Sequence, residues 1–319
     1  MFSSRVPSRI AATCVPLSLA FAVIATMGTP DLANAAVKRC FGRNPTIVGT
    51  NGPDHLVGTS GADVIAGLSG GDLIEGRGGG DYICGNAGED EIDGQGGQDS
   101  LNGGAGADLL FGAGSSDVLA GGSGDDILVG EAGSDTYNGG GGIDVVGFVG
   151  STNPVTVDLR EKFASGEGSD SVNYVEGVIG SEFSDVMFGN AFINIFEGLQ
   201  GDDEMNGRGG SDFAFFTLAP DDVTVDLTLG ETAGPEGVDS VLSIENVLGS
   251  PFNDSIVGTT GPNFLDGADG DDTIDGRGGG DSCFGEVVTG CDSAPAAAGA
   301  MSRALDGLAD AFAARLTNR

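Results

Sequence analysis

Gly103-Gly-Ala-Gly-Ala-Asp108-Leu-Leu110-Phe111 and Gly121-Gly-Ser-Gly-Asp-Asp126-Ile-Leu128-Val129 begin eighteen residues apart and carry one pattern. Working outward from them, Asp recurs every nine residues at Asp54, Asp63, Asp72, Asp81, Asp90, Asp99, Asp108, Asp117, Asp126, Asp135 and Asp144. Gly stands five residues before each Asp and again two before it, with Ser115 the exception at the second place. Two residues after each Asp comes a large apolar side chain, such as Ile65, Ile74, Ile83, Leu101, Leu119, Tyr137 or Val146. The unit is G-x-x-G-x-D-x-U-x. With 34 Asp in 319 residues, eleven in register are no by-product of an acidic composition.

Each position has a physical reason. The glycines suit backbone with positive φ, which residues with a Cβ resist. The x-U-x triplet runs extended, so one apolar residue faces inward and its neighbours outward. Three residues of strand cannot stand alone, so the units coil on each other, two to a turn. The expected fold is all-β, a right-handed parallel β-roll filled by a stacked Leu/Ile ladder.

Two units per turn stack Asp residues eighteen apart, roughly 4.8 Å from one another. One edge carries Asp54, Asp72, Asp90, Asp108, Asp126 and Asp144, and the other carries Asp63, Asp81, Asp99, Asp117 and Asp135. Carboxylates stacked so closely repel unless a cation lies between them. Oxygen-only ligands suit a hard ion, Ca²⁺ ahead of Mg²⁺ with its tighter octahedral demand, and disfavour zinc or copper. Nine adjacent pairs give up to nine sites in this block.

These nonapeptides resemble the repeats-in-toxin (RTX), haemolysin-type calcium-binding family, whose unit is GGxGxDxUx and whose fold is a calcium-binding parallel β-roll. The resemblance implies multiple Ca²⁺ ions between successive turns, held by the repeat Asp and by turn carbonyls.

Beyond Val146 the register breaks and a longer duplication starts. Val155-Thr-Val-Asp-Leu159 returns as Val223-Thr-Val-Asp-Leu227, and Val175-Glu-Gly-Val-Ile-Gly-Ser181 as Ile244-Glu-Asn-Val-Leu-Gly-Ser250. Each copy re-enters nonamers, with Asp185, Asn194, Asp203 and Asp212 matched 69 residues later by Asp254, Asn263, Asp272 and Asp281. Two stacked pairs per copy raise the total to thirteen. Asn keeps an oxygen but loses the charge, so Asn194 and Asn263 mark weaker sites. The interposed segments read as short strands and loops, and Phe148, Phe163, Phe213, Phe215 and Phe216 read as core rather than as a ligand cleft.

The divisions that follow are a secretory leader over 1–35, a first roll over 36–146, an interposed segment with a second repeat block over 147–214, its duplicate over 215–291, and a tail over 292–319. The leader has Arg5 and Arg9, an apolar stretch from Ile10 to Met27, and Ala33-Asn34-Ala35 as a cleavage site, which favours removal over a retained anchor. Without its two basic and one acidic residue the net charge moves from -35 to -36. Nucleic acid and anionic membrane surfaces are disfavoured by that charge, and no later apolar run is long enough to cross a bilayer. Cys40, Cys84, Cys283 and Cys291 remain, an even count suited to an oxidising compartment with three possible pairings. Proximity favours Cys283 with Cys291, leaving Cys40 with Cys84. In the tail, Met301, Leu305, Leu308, Phe312 and Leu316 are spaced for a short amphipathic helix, read as a cap on the last coil.

No catalytic constellation emerges. HExxH is impossible with one His. Gly67-Leu-Ser69-Gly-Gly71 satisfies G-x-S-x-G, but its glycines already belong to the nonamer, and His55 reads as a solvated strand residue. Arg160, Lys162, Tyr174 and Glu176 could mimic a polysaccharide lyase or epimerase site. The duplicate has Thr228, Gly230, Ser243 and Glu245 there, so only the carboxylate repeats and a solvated surface explains the set. The reading is a secreted, non-enzymatic protein that folds on binding calcium. Its alternative is calcium-dependent adhesion to a polysaccharide or cell-envelope partner.

Overall fold

The computed structural model describes residues 39–291 apart from Pro235. The leader and the C-terminal helix expected from the sequence lie outside these residues. The described chain coils into two sheets, of 12 and 17 strands, which alternate along the repeats. Within the repeat blocks, strands pair in parallel with the strand eighteen residues on, as in Ile74 with Ile92 and Ile83 with Leu101. That register is two nonapeptides per coil, and the fold is the parallel β-roll.

Alternation of side chains about each strand puts the U position inside. Ile65, Ile74, Ile83, Ile92, Leu101, Leu110, Leu119 and Leu128 are all fully buried in one ladder, which Val146, Val178, Phe196, Val247 and Leu265 continue. Each such side chain contributes about 1.5–3 kcal/mol through burial. The ladder therefore supplies the apolar half of the roll's stability and leaves the turns to carry the polar half.

The interposed segments are three-stranded meanders inserted into the larger sheet. Ser169–Asn173 pairs in parallel with Thr136–Gly141, then antiparallel with Phe163–Ser165, which pairs antiparallel with Thr156–Asp158. Thr156–Asp158 then accepts the next repeat strand, Val186–Phe188, in parallel. The duplicate builds the same pattern from Thr224–Asp226, Glu231–Ala233 and Ser240–Leu242. The smaller sheet passes both inserts without extra strands, since Val145–Gly147 pairs directly with Gly177–Ile179.

On the smaller sheet near the inserts, residues flanking the U position are also buried. Leu109, Phe111, Ile127, Val129, Val145 and Ile179 form one cluster and Ile195, Phe213, Phe215, Leu248 and Phe264 another. Phe148 and Phe216 join the main core, so core packing holds for them, but Phe163 does not and lies 40% exposed on its meander strand. Cys40 is bonded to Cys84 and Cys283 to Cys291, with Cα separations of 5.6 and 6.1 Å. One bridge ties the entry segment to the first coils, and the other closes the last.

Candidate metal centre

The turn residues fall into two kinds that the sequence pattern alone treats as one. In the first kind the residue after the leading Gly has positive φ, as at Leu68 (86°), Arg77 (76°), Gln95 (63°) and Glu131 (59°). Except at Gly133, the second glycine of these turns also has positive φ, between 109° at Gly70 and 151° at Gly279, and Ser115 is forced to 109° in the same place. The leading glycines have no positive φ, contrary to the sequence reading. They are glycine because the Asp carboxylate folds back over them: a Cβ on Gly85 or Gly121 would fall on Oδ2 of Asp90 or Asp126.

All thirteen stacked pairs share one contact. The backbone N–H of the lower Asp or Asn donates to Oδ1 of the Asp eighteen residues on, at 2.7 to 3.0 Å, from Asp54 to Asp72 through Asn263 to Asp281. The second oxygen is left over. Oδ2 of Asp72, Asp81, Asp90, Asp99, Asp117, Asp126, Asp135, Asp144, Asp203, Asp212, Asp272 and Asp281 is buried and accepts no hydrogen bond. A buried carboxylate oxygen without a partner costs on the order of several kcal/mol, and rows of them call for cations.

The electrostatics agree. Burial, augmented by the carboxylates one coil away and opposed by the backbone N–H, raises Asp117 and Asp126 to about 7 and Asp203 to about 8. None of the ion pairs among the described residues involves a repeat Asp. The donor set is oxygen only, which fits a hard divalent ion and Ca²⁺ best.

The second kind of turn closes on itself. Thr50 and Thr59 donate both N–H and Oγ1–H to Oδ2 of Asp54 and Asp63. Ser181 and Ser250 do the same for the carboxylates of Asp185 and Asp254, and Thr259 for the Oδ1 of Asn263. These four Asp are sequence candidates, yet their own turns already occupy the Oδ2 that the other turns leave open, with a hydroxyl and an N–H at Asp54, Asp63 and Asp185 and with the Ser250 N–H at Asp254. The signal was Thr or Ser in place of x directly after the leading Gly.

Five carboxylates missed by the nine-residue count continue the ladders past the repeat blocks. Asp135 N–H donates to Asp170 Oδ1 at 2.9 Å, Asp144 to Glu176 at 3.1 Å, Asp203 to Asp239 at 3.0 Å, Asp212 to Glu245 at 3.0 Å and Asp272 to Glu286 at 2.8 Å. The first four in this series of acceptors, Asp170, Glu176, Asp239 and Glu245, stand two residues before an inward apolar side chain, as Asp170 before Val172 and Glu245 before Val247, whereas Val288 after Glu286 is 40% exposed. Glu176 is thus part of the ladder and not a solvated surface group. The other members of the lyase-like set lie apart from it: Arg160 pairs with Glu161, and Lys162 sits 5.1 Å over the exposed Tyr174 ring. His55 is exposed and contacts Glu75 at 2.9 Å, as a solvated strand residue would.

No curated protein matches the chain in sequence. The family model described as the RTX calcium-binding nonapeptide repeat, which spans four copies, matches residues 48–83, 75–110, 85–119, 111–146, 179–214 and 248–283. Together these cover more than half of the chain and every turn with an open carboxylate oxygen. The chain belongs to the RTX calcium-binding nonapeptide repeat family.

Proposed function

We propose that this is an exported, non-enzymatic calcium-binding protein in which Ca²⁺ is a structural ion and binding is coupled to folding. The observation that carries the reading is the row of buried Oδ2 atoms that accept no hydrogen bond. The proposed ligands are Asp72, Asp81, Asp90, Asp99, Asp108, Asp117, Asp126, Asp135, Asp144, Asp203, Asp212, Asp272 and Asp281, together with turn carbonyls. Asp54, Asp63, Asp185 and Asp254 take the smaller part, because their own turns already satisfy them.

With a net charge of -35 and 60 Gly, the calcium-free chain faces self-repulsion and a large ordering entropy. Calcium neutralises the ladders and fixes the turns, so folding belongs to places where it is plentiful. Export is supported by the leader-like N-terminus and by two disulfides, which persist in oxidising compartments. The chain is divided as the sequence suggests, into a leader, a long roll, two duplicated insert-plus-repeat units and a tail.

The test is circular dichroism of the purified protein, stripped with chelator and titrated with calcium and, separately, magnesium. A cooperative gain of β-structure with calcium supports the reading. A protein fully folded in chelator and unchanged by calcium would refute it.

A further inference from the structure

Each insert ends in a turn three residues shorter than a repeat turn: the inward residues Val172 and Val178 are six apart, as are Val241 and Val247. Both short turns carry Glu where a repeat has Asp, 69 residues apart at Glu176 and Glu245. The extra methylene lets each side chain reach the backbone N–H of the preceding turn's Asp, at 3.1 Å from Asp144 and 3.0 Å from Asp212. This is the contact that every repeat Asp makes with its neighbour.

The rest of the repeat's oxygen arrangement is also rebuilt. In a repeat, the space over the leading Gly85 is bounded by Asp90 Oδ2 and by the carbonyl of Gly103, one coil on. Over Gly139 the same places are held by Asp144 Oδ2 and the Tyr174 carbonyl, and over Gly207 by Asp212 Oδ2 and the Ser243 carbonyl. Tyr174 and Ser243 have positive φ, 52° and 51°, although neither is glycine, and that conformation belongs to the turn that presents the carbonyl. Asp144 and Asp212 are fully buried, and their Oδ2 atoms have no hydrogen-bond partner. No Lys, Arg or His forms an ion pair with Asp144, Glu176, Asp212 or Glu245 among the described residues.

We infer that Asp144, Glu176 and the Tyr174 carbonyl form one calcium site, and Asp212, Glu245 and the Ser243 carbonyl a second, each outside the nonapeptide pattern. The inference rests on the calcium reading of the repeats. It makes the duplicated inserts part of the ion ladder rather than interruptions of it. One coil further on the ladder changes character: Asn194 and Asn263 donate Nδ2–H to the Glu176 and Glu245 carbonyls, at 3.3 and 2.7 Å. The amide oxygens there are taken as well, that of Asn194 by the Asn190 N–H and that of Asn263 by the Thr259 N–H and hydroxyl, so each ladder has a metal step below the Glu and a metal-free step above it.

The test is to count bound calcium by equilibrium dialysis on the whole protein and on the Glu176→Gln/Glu245→Gln variant, with circular dichroism to follow the fold. Gln keeps an oxygen for the N–H contact and removes the charge. Two fewer ions per chain in a folded variant is the expected result, and each single variant should lose one, which keeps the count readable if the double variant fails to fold. Unchanged stoichiometry would overturn the inference while leaving the repeat sites intact. A wild-type protein that binds no calcium would overturn the functional reading and this inference together.

Discussion

Arg208 holds Asp158 across fifty residues of chain in a two-pronged ion pair, Nη1 to Oδ1 at 2.8 Å and Nη2 to Oδ2 at 2.7 Å. Arg208 sits in a repeat turn and Asp158 on the first meander, so the pair ties insert to roll. The duplicate keeps the partners but loosens the grip, with Arg277 Nη2 at 3.8 Å from Asp226. Both pairs are partly exposed, so solvent screening holds the stronger one to about 1 kcal/mol. Arg208→Ala should lower the thermal midpoint of the calcium-loaded protein more than Arg277→Ala, and equal effects would contradict the geometry. Hydrogen bonding to Arg208 holds the Asp158 carboxyl down at about 2. Its contribution should be complete above about pH 4 and vanish as the pH falls through 2.

Within the first repeat block, Ser115 is the one residue at a second-glycine place that is not glycine, and it carries φ of 109°. A side chain in that region costs about 1–3 kcal/mol. Ser115→Gly should therefore raise the unfolding midpoint in calcium by an amount equivalent to roughly 1 kcal/mol, after allowing for the extra freedom glycine gains when unfolded. A lowered midpoint would mean that the Ser115 side chain stabilises the fold by more than its backbone strain costs.

Stripped of calcium, the protein should respond to acid in an unusual direction. Burial and stacked neighbours place Asp117 and Asp126 at about 7 and Asp203 at about 8 when folded, against an ordinary 3.8. A folded-state value above the unfolded one penalises folding at high pH, and the penalty shrinks as the folded form takes up protons. In chelator, β-structure should increase as the pH falls from about 8 toward 4. A monotonic loss over that range would show that protons do not substitute for the cation.

The sequence makes the nine-residue ladder legible because every repeat solves the same steric problem with the same residue types. Asp63 to Asp144, the inward Leu/Ile column and the pairing of the four cysteines follow from spacing. Glu176 and Glu245 escape such counting because the turn before them is shorter, so their likeness to Asp lies in reach rather than in register. Asp239 escapes for another reason: Gly234, Gly237, Asp239 and Val241 form a full but isolated nonapeptide, 27 residues after Asp212 and out of phase with the block that starts at Asp254. The meanders were visible only as alternating Val155, Val157 and Leu159, since antiparallel partners within one sheet are chosen by tertiary pairing and not by local pattern.

The two kinds of turn give the last prediction. Ser181 donates its hydroxyl to a carboxylate, that of Asp185, where both residues are fully buried, and it does what a cation does in the open turns. Ser181→Ala leaves that carboxylate short of a donor, at about 1–3 kcal/mol, without removing a metal ligand. Asp99→Asn in an open turn removes charge from a ladder and should lower both stability and the number of ions bound. The Ser181 variant should thus unfold at lower temperature with its calcium count unchanged, whereas the Asp99 variant should lose calcium as well. If Ser181→Ala also released calcium, the hydroxyl would be supporting a metal site instead of replacing one. The Thr50, Thr59, Ser250 and Thr259 turns would then have to be read as metal sites too.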